Sequence, residues 1–289
     1  MNDSLSLWND CSFIRQLKRN LLMWDAPNSP HSIVNQNRMA VFDLDGTLWC
    51  ETPGLVEMRF WRDELEACLA LDEYKQHHLT VLSLLKTVED ESLTIMMNLY
   101  RLYHTVFANE DHKVYQKKAK RWVCSARHPR FQVPYAQLVY QPMLQLIRLL
   151  QHHGFRCVIN SGSTKQFVQA WSEEVLGIPM EDVLGSSFDV SSPSCSIALN
   201  LGQEKVEHFK EHFKGVPVIA IGNTFNDLSM LKWVHQSHKN SVCALVNHDD
   251  ASREYLYPFN PLVNIEMSTQ FTSIHSISMK QDWREVFDI

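Results

Sequence analysis

Apolar and polar positions follow two different periods along this chain. Residues 39–42, 155–159, 216–221 and 242–246 are short apolar runs, and they read as buried strands. Residues 183–188 and 196–201 read as two further short strands. Between these runs the apolar positions recur at helical spacing. Residues 142–152 form a predicted helix opened by Pro142 and closed by Gly154. Residues 164–176 form another, ended by Gly177, and residues 203–213 and 226–233 two more. Leu5, Leu7, Trp8, Phe13, Ile14, Leu17, Leu21 and Leu22 predict one or two amphipathic helices ahead of the first strand. Strands alternating with helices imply an α/β fold: a doubly wound, Rossmann-like, mostly parallel sheet with helices on both faces.

One long stretch breaks this alternation. From residue 55 to about 115 only glycine-free helical spacing is found. Glu64, Leu65, Cys68, Leu69 and Leu71 fit one helix, and Leu79, Leu82, Leu85 and Val88 a second. Leu93, Met96, Leu99, Tyr100 and Tyr103 fit a third. The expected organisation is a core of residues 1–49 and 139–289, with residues 50–138 inserted as an all-helical domain. The competing assignment places that stretch in the core itself.

Composition narrows the class. The chain has 289 residues, 45% apolar and 21% charged, the balance of a folded globular protein. A net charge of −6 argues against a broad nucleic-acid or membrane surface. No apolar run reaches the roughly 18 residues of a membrane span, and no basic start leads into an apolar block. Seven cysteines without repeating spacing suggest free thiols. A cytoplasmic protein is the expectation; the sequence carries no signal for oligomeric state.

In open parallel sheets ligands bind beyond the carboxyl ends of the strands. Three loops qualify. After Phe42 come Asp43-Leu44-Asp45-Gly46-Thr47. Residues two apart on an extended segment point the same way, so the two carboxylates can share a site. One can attack while the other handles a proton. Gly46 permits a sharp turn, and Thr47 can bond to the site or cap a helix. A solvated Asp-Gly turn is the plain alternative. After Ile159, Ser161-Gly162-Ser163 offers hydroxyls and backbone N–H groups before a predicted helix, as a phosphate cradle or an ordinary helix cap. After Ile221, Gly222-Asn223-Thr224-Phe225-Asn226-Asp227 places one carboxylate and two carboxamides at a strand end, a donor set that suits Mg²⁺. Lys205 opens the helix ahead of that strand; alone it would read as a surface lysine.

Asp-x-Asp-Gly-Thr, then Ser-Gly, then Lys205, then Gly-Asn-Thr-x-x-Asp, in this order, resembles the haloacid dehalogenase superfamily. The resemblance covers residues 39–49 and 139–289, with the helical insertion where that family carries its type 1 cap. Residues 45–53, 247–255 and 278–287 look like a bacterial, phosphoserine-phosphatase-like subgroup. The resemblance implies a Mg²⁺-dependent phosphatase. Asp43 would attack phosphorus and become an aspartyl phosphate. Asp45 would protonate the leaving group and later activate water. Ser161, Gly162 and Lys205 would hold the phosphoryl oxygens, with Thr47, Asn226 and Glu51 as further substrate contacts. Asp43, the Asp45 carbonyl, Asn223 and Asp227 would surround the metal. Many relatives carry Asp where this chain has Asn223, which removes one anionic ligand. Asp227 is then expected to supply the charge directly or through water.

A cation matters because a carboxylate approaching a phosphate dianion is repelled by roughly 4 kcal/mol per charge pair at about 4 Å and an effective dielectric of about 20. That is on the order of a thousandfold in rate. The acid at Asp45 favours an alkoxide leaving group on phosphorus over a carbon–halogen bond. The expected substrate is a small phosphorylated metabolite, such as phosphoserine or a phosphocholine-like compound. A phosphoprotein phosphatase and a weakly catalytic phosphate binder are the alternatives. Glu51 either faces a substrate amine or is exposed. Cys124 and Arg130 have the spacing of a cysteine phosphatase loop, but Pro129 removes an N–H that such a loop needs.

Overall fold

The computed structural model describes residues 5–27, 32–34, 37–85, 93–107, 110–189, 196–257 and 274–289. Seven strands form one sheet in the order β4-β3-β2-β1-β5-β6-β7. They are β1 Met39–Phe42, β2 Arg156–Thr164, β3 Val183–Asp189, β4 Ser196–Ala198, β5 Ile219–Gly222, β6 Val242–Asn247 and β7 His275–Ser278. All neighbours pair in parallel except β4, which joins β3 antiparallel at one edge. β1 lies in the middle, with Phe42 opposite both Ile159 of β2 and Ile221 of β5.

Strand alternation explains the two covered faces. Ala40, Phe42, Cys157, Ile159, Ile219, Ile221 and Val246 face one layer. There they meet helices α1 (Ser12–Asp25) and α6 (Gln141–His152). Met39, Val41, Val158, Ala220, Cys243 and Leu245 face the other. Their partners are Val206 and Phe209 of α9 (Gln203–His212) and Met230, Leu231 and Val234 of α10 (Leu228–Ser237). The doubly wound α/β reading therefore holds.

Between β1 and β2 the described elements are helical: α2 Val56–Cys68, α3 His78–Leu85, α4 Leu93–Val106, α5 His112–Ser125 and α6. Val139 forms an antiparallel bridge with Trp49. The insertion shares its apolar interior with one face of the sheet. Phe60 of α2 packs on Phe167 of α7 (Lys165–Gln169), ring centroids 5.6 Å apart. Val88, assigned to the second predicted helix, lies outside the described residues.

Several expected boundaries differ. β2 does not stop at Ile159 but runs to Thr164, with a register shift against β3 between Asn160 and Thr164. The predicted helix over residues 164–176 is two short ones, α7 and α8 (Ser172–Leu176), interrupted at Ala170-Trp171. The helix expected from residue 226 begins as a 3₁₀ turn, Phe225–Asp227, before α10. α5 and β7 have no counterpart in the predicted elements. Among the described residues no helix is long and apolar enough to cross a membrane, and the six described cysteines are all free.

Candidate active site

Because β2, β1 and β5 are adjacent, the three loops leave the sheet side by side. The Asp43 N–H donates to the Ile221 carbonyl at 2.9 Å, so the ladder continues into the first loop. Gly46 then turns the chain at φ +70°. A Cβ there would lie 2.0 Å from Asn223 Nδ2 and 2.6 Å from Glu51 Oε1, so only glycine fits.

Asp43 is the acid held by a cation in the cavity wall. Lys205 Nζ donates to its Oδ1 at 2.5 Å, and Thr47 Oγ1 lies 3.3 Å from its Oδ2. The same ammonium donates to Asp227 Oδ1 at 2.6 Å. One buried cation thus serves two buried carboxylates. Burial draws the lysine pKa down, but the Asp227 and Asp43 charges outweigh it and hold Lys205 above the ordinary lysine range. Burial and the Asp227 charge push Asp43 up to about 7.

Asp45 is held differently. Trp49 Nε1 donates to Oδ1 at 2.8 Å, and Ser163 Oγ and Ser161 Oγ lie 2.7 and 3.3 Å from Oδ2. Burial raises this carboxyl too, against the opposing pull of those hydrogen bonds. A raised acid with neutral donors around it can carry a proton and give it up. The two aspartates therefore sit in unlike surroundings, one paired with a cation and one with dipoles.

A cavity of about 230 Å³ joins these groups. Its polar part includes Asp43, Asp45, Glu51, Glu57, Ser163, Lys205 and Asn223, with Thr224 and Asn226 beside them; Leu55, Met58 and Trp61 of the helices after β1 form an apolar roof, and Leu199 and Leu201 add apolar wall. Ser161 and Thr47 stand behind the wall, fully buried, bonding to the aspartates. The extended course of β2 explains why Ser163 reaches the void: residues 161 and 163 point the same way and meet the same oxygen of Asp45. Neither serine is a helix cap. Thr164 caps α7 by accepting from the Phe167 N–H at 3.3 Å. Asn226 lies exposed at the rim.

Asp227 is not part of the cavity lining. Its Oδ2 accepts from the Asn223 and Thr224 N–H groups at 3.0 and 2.9 Å, closing a capping box with Thr224. Gly222 permits this, since a Cβ there would meet the Asp227 Cβ at 2.4 Å. The carboxylate expected to serve a metal is the brace of its own loop. The loop offers the cavity Asn223, Thr224 and Asn226, and Asn223 reaches deepest, its Oδ1 accepting from Thr47 Oγ1 at 3.4 Å.

The donors fit Mg²⁺ by type. They are hard oxygens, and acids outnumber cations: Asp43, Asp45, Glu51 and Glu57 line the cavity against Lys205 alone among the described residues. Burial and the Asp45 charge push Glu51 up to about 8, as expected of acids crowded without enough counter-charge. Among the described residues no three His, Cys, Asp or Glu side chains form a ready cage. A Mg²⁺ site here would draw on carboxamide, carbonyl and water oxygens, which that ion accepts.

Further participants were not legible beforehand. Glu57 of α2, buried at the cavity wall, accepts from the Thr164 N–H at 2.7 Å, from the Thr164 hydroxyl and from Tyr115. Trp49 fixes Asp45, and its ring stacks on Trp171 at 4.3 Å. His248 Nε2 lies 2.7 Å from the Gly46 carbonyl, and its Nδ1 3.1 Å from Glu254. Trp49 stands only four residues beyond Asp45, a nearness that hinted at it, but the others come from distant segments. Cys124 ends α5 on the surface, and Arg130 is engaged by the carbonyls of Ala251, Ser252 and Glu254, so that segment is no phosphate loop.

The sequence profile of haloacid dehalogenase-like hydrolases matches residues 40–232. No curated protein sequence matches the chain. Among solved structures it is similar to a conserved, functionally unknown protein from Anaerococcus prevotii, at 13% identity over 96% of this chain and 94% of that one, TM-score 0.60. It is also similar to a protein of unknown function from Bordetella pertussis, at 14% identity over 83% and 98%, TM-score 0.49. A third is a phosphoserine phosphohydrolase-like protein from Francisella tularensis, at 16% identity over 79% and 92%, TM-score 0.42. At such identities only the fold is shared, and the first comparison carries that. With the profile spanning the β1, β2 and β5 loops and the insertion between them, the chain belongs to the haloacid dehalogenase-like hydrolases.

Proposed function

We propose that this chain is a Mg²⁺-dependent phosphatase of small phosphomonoesters, working through an aspartyl phosphate on Asp43. The carrying observation is the division of labour in one cavity: Asp43 against Lys205, Asp45 against Trp49 and the serine hydroxyls.

An Asp43 oxygen forms a bond to phosphorus while the ester P–O bond breaks. Asp45 gives its proton to the departing alkoxide oxygen. Asp45, now a carboxylate, takes a proton from water as that water attacks phosphorus. The acyl–phosphate bond breaks, inorganic phosphate is released, and Asp43 regains its carboxylate. Lys205, already at Asp43, neutralises one phosphoryl oxygen. Bound Mg²⁺, held by Asp43, the Asp45 carbonyl and Asn223, would offset the remaining repulsion.

Size and polarity support a small substrate. A chamber of about 230 Å³ lies below the 300–1,000 Å³ common for drug-sized ligands. It takes a phosphoryl group and a few further atoms under Leu55, Met58 and Trp61. A folded phosphoprotein would need the helical roof displaced, which makes it the second reading. Asp43→Asn tests the mechanism. Wild-type protein should release phosphate from small phosphomonoesters with Mg²⁺ and lose that in EDTA; a variant that keeps the activity defeats the mechanism. A wild type that binds phosphate without turnover would favour the binding-protein alternative.

A further inference from the structure

The third loop offers the cavity a neutral carboxamide, while its carboxylate is spent elsewhere. Asp227 uses Oδ1 on Lys205 and Oδ2 on two backbone N–H groups and the Thr224 hydroxyl. One other carboxylate ends at the spot where Asn223 ends. Glu51 Oε1 lies 3.5 Å from Asn223 Nδ2, and a Cβ on Gly46 would collide with both tips. The arm is held in place: the Tyr257 hydroxyl donates to Oε1 at 2.9 Å. Tyr257 is itself fixed by the Thr52 hydroxyl at 3.0 Å and by stacking on His248 at 3.7 Å between ring centroids. Among the described residues Oε2 accepts no hydrogen bond, and Glu51 lines the cavity. The cavity's lysine is already shared by Asp43 and Asp227, so among the described residues Glu51 has no cation of its own.

We infer that Glu51 supplies the anionic Mg²⁺ ligand that the third loop lacks, with Asn223 beside it as a neutral one. A hard divalent cation needs carboxylate charge in its shell, and exchanging carboxylate for carboxamide at residue 223 removes one unit of it. Glu51 restores that unit from the first loop. The inference rests on reading the chain as a Mg²⁺ phosphatase, and it moves Glu51 from substrate to metal.

Mn²⁺ binding to the full-length protein, followed by electron paramagnetic resonance without substrate, tests it. Glu51→Gln should bind Mn²⁺ at least tenfold more weakly than wild type. Asn223→Asp added to Glu51→Gln should bring the affinity back to within threefold of wild type. Circular dichroism in EDTA checks that each variant folds. Glu51→Asp, which keeps the charge on a shorter arm, gives a second and gentler variant, expected to bind at least threefold more weakly. Unchanged Mn²⁺ binding in both Glu51 variants overturns the inference, as does failure of the added Asn223→Asp change to rescue. So does a Glu51→Gln phenotype confined to KM for amine-bearing substrates. The parent reading fails separately: an active Asp43→Asn variant defeats the nucleophile while leaving the Mn²⁺ comparison intact. A wild type that binds no Mn²⁺ overturns both.

Discussion

Lys205 is the residue on which the charge balance of the cavity turns. It is 1% exposed, and both its partners are buried. Lys205→Met would leave Asp43 and Asp227 without their cation. Removing one partner of a buried pair typically costs about 3–5 kcal/mol. We expect that loss in urea unfolding, together with at least a thousandfold fall in kcat/KM; a variant as stable as wild type would contradict the shared-cation arrangement. Trp49→Phe asks a subtler question. It keeps an aromatic ring beside Trp171 and removes one donor from Asp45, a loss worth about 1–3 kcal/mol at a buried acceptor. A tenfold or larger drop in kcat with little change in KM is expected from steady-state kinetics. The aspartates were legible in the sequence because strand alternation and loop position are local facts, whereas Lys205, on helix α9, reads as a surface lysine by itself and was picked out only by the motif order of the family resemblance. Ser163 and Ser161 could not be ranked, since their roles depend on β2 staying extended past Ile159. Glu57 and His248 were hidden because they reach the loops from elements folded in from far along the chain.

At the scale of elements, α2 is joined to the end of β2 through a single buried carboxyl. Burial pushes Glu57 up to about 8, and Glu51 and Asp43 lie near 8 and 7. In the unfolded chain these groups ionise near pH 4. The folded state therefore binds more protons than the unfolded state between about pH 4 and 8. Stability from these groups is full below that window and is lost as pH rises through it. In EDTA the melting temperature should fall from pH 5 to pH 8.5, and Glu57→Gln should make that decline shallower. Identical slopes in the two proteins would refute the assignment. Most helices and parallel strands were readable from periodicity. α5 was missed because its buried positions, Tyr115, Ala119, Trp122 and Val123, are sparse within a strongly basic segment. β7 was missed because His275, Ser276, Ile277 and Ser278 carry one large aliphatic residue. The antiparallel β4 gave only a weak signal for its direction, which is set by pairing rather than by residue type.

At the scale of the molecule, the insertion and one sheet face share a continuous apolar interior. Phe60 is its hinge of contact, touching Phe167 on the core side and Tyr103, Tyr115 and Trp122 on the other. Calorimetry should show one cooperative transition. Phe60→Ala should lower stability by about 3–5 kcal/mol, the usual cost of emptying a buried aromatic site. A separate early melting of the insertion would show that the two halves are energetically independent.

The pairing of β2 and β5 on either side of β1 has a further consequence for rate. Neighbouring strands are locked roughly 4.8 Å apart by their hydrogen bonds. In the proposed mechanism the nucleophile Asp43 and the proton carrier Asp45 are thus placed while the protein folds, before any substrate arrives, and Lys205 is brought to them from α9. The entropy of bringing them together is spent once, during folding, and each turnover starts from an assembled reaction geometry. A slip of one residue in β1 would turn Asp43 and Asp45 to the opposite face of the sheet, so under the proposed mechanism the ladder at Phe42 is as much a catalytic alignment as a structural one.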